Sequence, residues 1–396
     1  MADTTYLSEE DERQILDSIQ KWLEKKVAPV AMQLEHDNIW PADLVADMTE
    51  LGLFGALIHP DYGGLGLSAT TYSKIVTMIS EEWMSLSGIF NSHLMMSIVV
   101  QKFGTDRQKE YWLPKFAAGE LRGSLGLTEP DAGTDLQGIR TVARRKGDKY
   151  IVNGTKTWIS NAIEGHCVAL LVKTDPDAQP RYKGMSILIV PKINPETREP
   201  LPGVKNGRKL EKLGYKGIDS GEFIFEDYEC DAELSLVGGK EGEGFFMATG
   251  GLEIGRINVA ARSVGIARRA LKESVRYAQL RKTMGKPICE HQAIQLKLGE
   301  MAAKTRASEL LVQDAAAAYD RGERVDMEAG MAKYFASETA VEVATEAMRI
   351  HGGYGYSKEY VIERLYRDAP LMCIGEGTNE MQRIIISKQL VKRNPA

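Results

Sequence analysis

Cysteine is scarce: Cys167, Cys230, Cys289 and Cys373 are the four in a chain of 396 residues. None lies in a CxxC pair and none has a histidine at zinc-ligand spacing, which speaks against a metal centre and a disulfide framework. The four read as buried thiols in a reducing compartment. An excess of positive charge is also missing. Charged residues make up 27% of the chain, mixed in sign, with a formal net charge of −5. A nucleic-acid partner is therefore not expected, and an anionic ligand would need a local basic pocket. No apolar run reaches the roughly 18 residues of a membrane span. The N-terminus, with Ala2, Asp3 and Thr4 and then acids from Glu9 to Glu12, lacks the basic and apolar regions of a signal peptide. It is also too acidic for a transit peptide. A cytoplasmic protein is expected; a processed mitochondrial matrix protein would look the same.

Several chemical signatures are absent as well. There is no GxxxxGK[ST], no HExxH and no GxSxG. The glycines of HGGYGYS, His351 to Ser357, do not form a GxGxxG fingerprint after a strand. The six histidines, His36, His59, His93, His166, His291 and His351, are scattered. Hydrolase and metalloenzyme chemistry thus have little support. There is no internal repeat and no low-complexity tract.

What is present is an ordinary globular composition, 43% hydrophobic, in three zones of different periodicity. Residues 1–122 read as a helical domain. Ser8 and Asp11 resemble a capping box, and Ile15, Leu16, Ile19, Trp22, Leu23 and Val27 recur at helical spacing. Residues 123–238 change to short segments rich in β-branched and aromatic residues, such as TVARR, KYIVNG, CVALLVK, MSILIVP and EFIFEDY. Lys146-Gly147-Asp148, Asn153-Gly154 and Asp175-Pro176-Asp177 read as turns between them. This pattern predicts an antiparallel barrel or sandwich. Residues 239–396 are helical again. Val264, Ala267, Leu271, Val275 and Ala278 share one face; Ile294, Leu298, Met301, Thr305, Ser308 and Val312 share another. Such small-faced helices fit a four-helix bundle. The class is α+β.

Three stretches do not read as generic helix or strand. In GLTEPDAGTDL, Gly126 to Leu136, Thr128 and Thr134 offer hydroxyls and Gly133 permits close backbone approach. In NGTKTWISN, Asn153 to Asn161, Trp158 offers a flat apolar face and Ser160 a hydroxyl on the same side of a regular strand. In RDAPLMCIGEGTNEMQR, Arg367 to Arg383, Glu376 stands between Gly375 and Gly377, poorly placed for a helix interior but easily presented into a cleft.

Together these stretches resemble the acyl-CoA dehydrogenase family over nearly the whole chain. LTEPDAGTD, KTWISN, RKTMGK, IHGGYGYS and EGTNEMQR occur in the family's order and at its spacing. The resemblance implies an FAD flavoprotein that removes hydrogen from Cα and Cβ of an acyl-CoA. It implies that Leu125, Gly126, Leu127, Thr128, Gly133 and Thr134 hold the flavin ring. Trp158 would shield its edge, with Ile159 beside it and the Ser160 hydroxyl on N5. Arg281, Thr283, Gln292, Arg349, Gly352 and Gly353 would reach the pyrophosphate of a neighbouring subunit's FAD. Thr378 would touch the adenosine half, and Glu380 stands where Gln is common. Sites shared between subunits imply a homotetramer.

By the same resemblance, Glu376 is the base that takes the α-proton while the β-hydride goes to flavin N5. The Glu376 backbone N–H would steady the developing enolate. Electrons would pass to an electron-transferring flavoprotein. Arg256 would bind the CoA nucleotide, with Thr134, Glu253, Gly375 and Gly377 also lining the substrate path. Some family members carry the base on the helix after the β domain instead. Here Gly255 occupies that position, so the carboxylate before GT is expected to act. Gly375 stands where many straight-chain members have an aromatic ring, which suggests a branched or bulky acyl group. The arginine of glutaryl-type members aligns with Leu86, which disfavours a glutaryl substrate, although another arginine could substitute. A flavin oxidase or monooxygenase on the same fold is disfavoured by the retained Glu376. A non-catalytic acyl-CoA-binding protein and an enoyl-CoA reductase are the remaining alternatives.

Overall fold

The structure, a computed structural model, describes residues 8–250 and 253–395; the Ala2–Thr4 segment lies outside them. Ser8 opens α1 (Glu9–Trp22) by accepting a hydrogen bond from the Asp11 N–H at 3.1 Å. A π-helical turn, Leu23–Val27, leads to α2 (Ala31–His36) and α3 (Ala42–Glu50). The long α4 (Ala69–Phe103) is capped by Ser68 and broken inside at Trp83, whose φ/ψ of −157°/104° is extended. Trp83 there donates its indole N–H to Glu35 at 3.1 Å. A Thr105/Gln108 capping box starts α5 (Asp106–Ala117).

One difference from the sequence reading concerns α4. It is long and apolar enough to cross a membrane by composition, because small polar residues dilute its apolar ones without lowering the mean much. Yet 94% of that window is buried inside the protein, as a core helix is.

The middle section carries β1 (Gly123–Gly126), β2 (Val142–Lys146), β3 (Lys149–Ser160), β4 (Cys167–Lys173), β5 (Met185–Pro191), β6 (Val204–Lys209) and β7 (Ser220–Asp231). They form one sheet in the order β1-β4-β2-β3-β7-β6, with β5 on β4. The expected antiparallel pairing holds for β2–β3, β3–β7, β4–β5 and β6–β7, with one correction: β1 runs parallel to β4, and β2 meets β4 in parallel at Val142 and Lys173. The apolar runs of β4 and β5 mark burial and leave pairing direction open; β5 itself runs antiparallel to β4. Both strands are buried on both faces, as strands covered on two sides are. A second correction concerns Asn153-Gly154. It is no turn: β3 runs through it, with a register shift against β7 between Val152 and Gly154. Gly154 has φ +146°, and a Cβ there would lie 2.5 Å from the Thr141 hydroxyl, so only glycine fits this bulge.

Short α6 (Ala232–Ser235) and α7 (Gly244–Gly250) lead into α8 (Glu253–Leu280). A hairpin of β8 (Lys282–Thr283) and β9 (Lys286–Pro287) joins it to α9 (Gln292–Asp320). Met284 and Gly285 turn the hairpin with φ of +51° and +81°, the geometry of a tight two-residue turn. Then come α10 (Asp326–His351), α11 (Ile362–Ile374) and α12 (Asn379–Arg393). α8, α9 and α10 pack on one another through alanines such as Ala260, Ala267, Ala315, Ala336 and Ala340. Val275 is 40% exposed, so the predicted apolar face of α8 leaves the core near its end. All four cysteines are free thiols; Cys289 and Cys373 are half-buried rather than buried.

Candidate active site

Glu376 hangs between α11 and α12. Gly375 ends α11, and Glu376 itself has φ +53°, the left-handed region that costs a residue with a Cβ of order 1–3 kcal/mol. Gly377 follows at φ +85°. The turn swings the carboxylate onto the first turn of α8. A Cβ at Gly255 would stand 2.1 Å from Glu376 Oε2, so the alternative base position and the Glu376 carboxylate share one place.

Three other segments meet there. Asn91 of α4 donates to Glu376 Oε1 at 2.9 Å. Tyr72 donates to Asn91 at 3.0 Å and accepts from Asn258 at 2.8 Å. Arg262 of α8 donates to Glu376 Oε1 at 3.3 Å and to the Tyr215 hydroxyl at 3.3 Å. Burial pushes the Tyr215 phenol up, with Arg262 and Ser160 beside it pulling the other way. Tyr215 is fixed from behind, since its backbone N–H donates to Asp368 at 2.6 Å. Its hydroxyl fits against Gly88, where a Cβ would come within 1.6 Å. Glu376 Oε2 is buried and makes no hydrogen bond to the protein.

The flavin-stretch residues lie along β1, its following loop and the end of β3. The loop is pinned by Glu129. Its carboxylate accepts from the Arg140 and Thr141 N–H groups at 2.6 and 3.0 Å and pairs with the fully buried Lys156 ammonium at 2.8 Å. Burial opposes the charge of Glu129, but Lys156 and these hydrogen bonds outweigh it and hold the carboxyl below its ordinary range. Lys156 also donates to the Leu127 carbonyl at 3.0 Å, and the Thr157 N–H donates to the Thr128 carbonyl at 2.9 Å. Leu125 and Leu127 are half-buried, Gly126 is buried and Thr134 is exposed.

The regular-strand argument for Trp158 and Ser160 is corrected. A second register shift falls between Lys156 and Ile159, and Trp158 sits in it with φ +59° and 60% exposure. The bulge, not strand alternation, turns the indole outward. The Ile159 side chain is buried in the sheet core, which leaves only its backbone to meet a ligand.

Arg281, Thr283, Gly352 and Gly353 line a surface groove of about 760 Å³ with Tyr277 and Met284; Glu376 is not part of it. Gln292 and Arg349 are exposed outside that lining, and Arg349 pairs with Glu346. Thr378 caps α12 by accepting from the Met381 N–H at 3.4 Å, and Glu380 pairs with Arg383 at 2.9 Å on the surface. Arg256 is 7% exposed, 3.9 Å from Asp326, and its Nε and Nη1 make no hydrogen bond to the protein. Burial pulls its guanidinium below the ordinary value, opposed by Asp326 and Glu253. Glu253 is half-buried in the same cluster, where burial pushes its carboxyl up.

Sequence reasoning missed Asn91, Tyr72, Tyr215, Asn258, Arg262 and the Glu129–Lys156 pair. Arg262 had a signal: it interrupts the small and apolar run INVAARSVGIA, seven residues after Gly255 and on its face of the helix.

The chain matches three family models in order: "Acyl-CoA dehydrogenase, N-terminal domain" over residues 9–120, "middle domain" over 124–228 and "C-terminal domain" over 242–391. The chain belongs to the acyl-CoA dehydrogenase family. It is 39% identical over 374 residues to an acyl-CoA dehydrogenase of Bacillus subtilis, covering 94% of this chain and 96% of that one. It is 38% identical over 371 residues to a 3-(aryl)acrylate reductase of Clostridium sporogenes, covering 93% and 95%. Among solved structures, the butyryl-CoA dehydrogenase from Megasphaera elsdenii superposes with a TM-score of 0.91 at 33% identity, covering 97% of this chain and 99% of that one.

The protein is thus an FAD-dependent oxidoreductase acting on the CH–CH group of acyl-CoA. The residues present fit the cofactor. Gly133 and Gly353 have ordinary φ, and a Cβ at either would meet no protein atom within 4 Å, so neither turn geometry nor internal packing demands glycine there. Both leave room for a bound group, as does the displayed face of Trp158.

Proposed function

We propose that this enzyme performs α,β-dehydrogenation of an acyl-CoA to the trans-2-enoyl-CoA, with Glu376 taking the α-proton. The observation that carries this reading is the Glu376 carboxylate: sheltered, left-handed, its Oε2 free of protein hydrogen bonds and fitted against Gly255. Such a group can accept a proton without first breaking a bond at that oxygen. FAD held by the 125–134 loop, Trp158 and Ser160 supplies the hydride acceptor when bound. The Arg256 Nε and Nη1, which make no hydrogen bond to the protein, suit an anionic portion of CoA.

Gly375 supports a branched or substituted acyl group. A Cβ there would have only the Leu371 carbonyl nearby, at 3.5 Å, so the side an aromatic residue would fill is open. A homotetramer is supported by the exposed Leu280, Leu296 and Tyr356 and by the exposed Met284 lining the groove of about 760 Å³, apolar surface of the kind a second copy covers. An electron-transferring flavoprotein is the proposed acceptor of the electrons.

The test is anaerobic flavin bleaching with linear, branched and aryl-bearing acyl-CoAs, beside Glu376→Gln. Bleaching by the wild type and its loss in a variant that still holds FAD are expected. Bleaching that survives the substitution would place the base elsewhere. A second reading, net reduction of an enoyl thioester, draws on the Clostridium sporogenes relative named as a reductase. It predicts that enoyl-CoA reoxidises the reduced enzyme faster than acyl-CoA bleaches the oxidised one.

A further inference from the structure

The wall around Glu376 is polar. Arg262 is 5% exposed, and its Nε makes no hydrogen bond to any protein group; Asn258 Oδ1 is likewise buried and unbonded. The ion pairing of Arg262 is more telling. Among the described residues, the one carboxylate within ion-pair distance of Arg262 is that of Glu376 itself. When Glu376 takes the α-proton it loses its charge. The buried guanidinium is then left without an anion at the very stage the reaction must stabilise, and a buried unpaired charge is costly.

We propose that Arg262 is a specificity-determining residue that binds a second carboxylate on the acyl group, so that the preferred substrate is a short ω-carboxyacyl-CoA. This rests on Glu376 being the base. The substrate's carboxylate keeps Arg262 paired throughout turnover. The proton still passes from Cα to Glu376, and no further group is consumed.

The distances set the chain length. A base in reacting contact lies about 3–3.5 Å from the atom it deprotonates. Arg262 meets Glu376 at Oε1, 3.3 Å away, while the free Oε2, about 2.2 Å from Oε1, takes the proton, which puts the guanidinium within about 9 Å of Cα. A charge-assisted hydrogen bond takes up about 2.8 Å of that, which leaves room for a carboxylate two to four carbons beyond Cα, about four to six acyl carbons in all. The Tyr215 hydroxyl, 3.3 Å from Arg262, is a second donor at the same place. Leu86, which occupies the position of the glutaryl-type arginine in sequence, is fully buried in α4 and plays no part. Arg262 approaches from α8 instead.

The experiment compares matched pairs on the FAD-loaded enzyme: succinyl-CoA with butyryl-CoA, and glutaryl-CoA with pentanoyl-CoA. The measured quantity is the ratio of kcat/KM within each pair, for wild type, Arg262→Gln and Arg262→Lys. Dissociation constants of the same thioesters for Glu376→Gln, with and without Arg262→Gln, give a readout independent of turnover. A wild-type ratio favouring the carboxylated member in at least one pair is expected. It should fall about 100-fold in Arg262→Gln, as for a desolvated charge pair that loses one partner. Partial recovery is expected in Arg262→Lys, which keeps the charge but not the fork. A wild type that prefers butyryl- and pentanoyl-CoA, or ratios and dissociation constants that Arg262→Gln leaves unmoved, overturns the proposal. If neither these four nor the branched and aryl-bearing thioesters bleach the flavin, the dehydrogenase reading fails and takes this one with it.

Discussion

Replacing Gly255 by alanine should damage catalysis while sparing the fold. Alanine is the better helix former by up to about 1 kcal/mol, and Gly255 lies in the first turn of α8. On backbone grounds the variant should melt no lower than the wild type. The added methyl, however, stands 2.1 Å from Glu376 Oε2, 3.3 Å from its Cδ and 3.1 Å from Met95 Sδ. To restore an ordinary contact of 3.4 Å the carboxylate must retreat by 3.4 − 2.1 = 1.3 Å. A misplacement of about 1 Å at the reacting centre costs about 100-fold in rate, or about 2.7 kcal/mol of barrier. Stopped-flow flavin reduction with a bleaching thioester measures the rate, and thermal melting of the FAD-loaded protein measures the fold. Reduction at the wild-type rate would refute the reasoning. So would a slow variant that also melts well below the wild type, because the loss would then belong to the scaffold.

Two further outcomes are expected. Glu129→Ala strands the buried Lys156 ammonium and should cost about 3–5 kcal/mol in urea unfolding. Glu129→Gln with Lys156→Met should recover most of it, and failure to recover would mean the pair does not act as a unit. His93 accepts from the Gly123 N–H at 3.2 Å and lies 3.0 Å from the Phe116 carbonyl, an arrangement only the neutral ring satisfies with one donor and one acceptor. Burial pushes its imidazole from 6.5 down to about 3. The unfolded chain therefore binds a proton there before the native one does. The stability His93 contributes is complete above pH 6.5 and drains away as the pH falls toward 3. Urea midpoints at pH 7 and pH 5 should converge in His93→Gln relative to wild type; an equal drop in both proteins would exclude His93 as the source.

The helical zones were legible because their apolar residues keep one period over many turns, and the strand zone because β-branched runs alternate with turn residues. The parallel contacts of β1 with β4 and β2 with β4 were not, because pairing direction leaves no mark in a strand's own residues. Asn153-Gly154 misled for a local reason: the same dipeptide serves a hairpin turn and a bulge, and Thr141 decides between them from a neighbouring segment. Trp158 and Ser160 were picked out as unusual residues on an argument from alternation that the bulge removes. Glu376 could be singled out from its glycines, whereas Asn91, Tyr72 and Tyr215 lie in stretches with no feature of their own. Their significance comes only from what they touch.

The surroundings of Glu376 come from α4, the β6–β7 connection, α8 and the α11–α12 turn, segments up to 285 residues apart between Asn91 and Glu376. Contacts so distant along a chain close late, after local helices and hairpins have formed. In refolding, helical signal should therefore return ahead of the ability to be bleached by substrate. The lag between the two would time the docking of the three regions, with the enzyme's own colour as the clock.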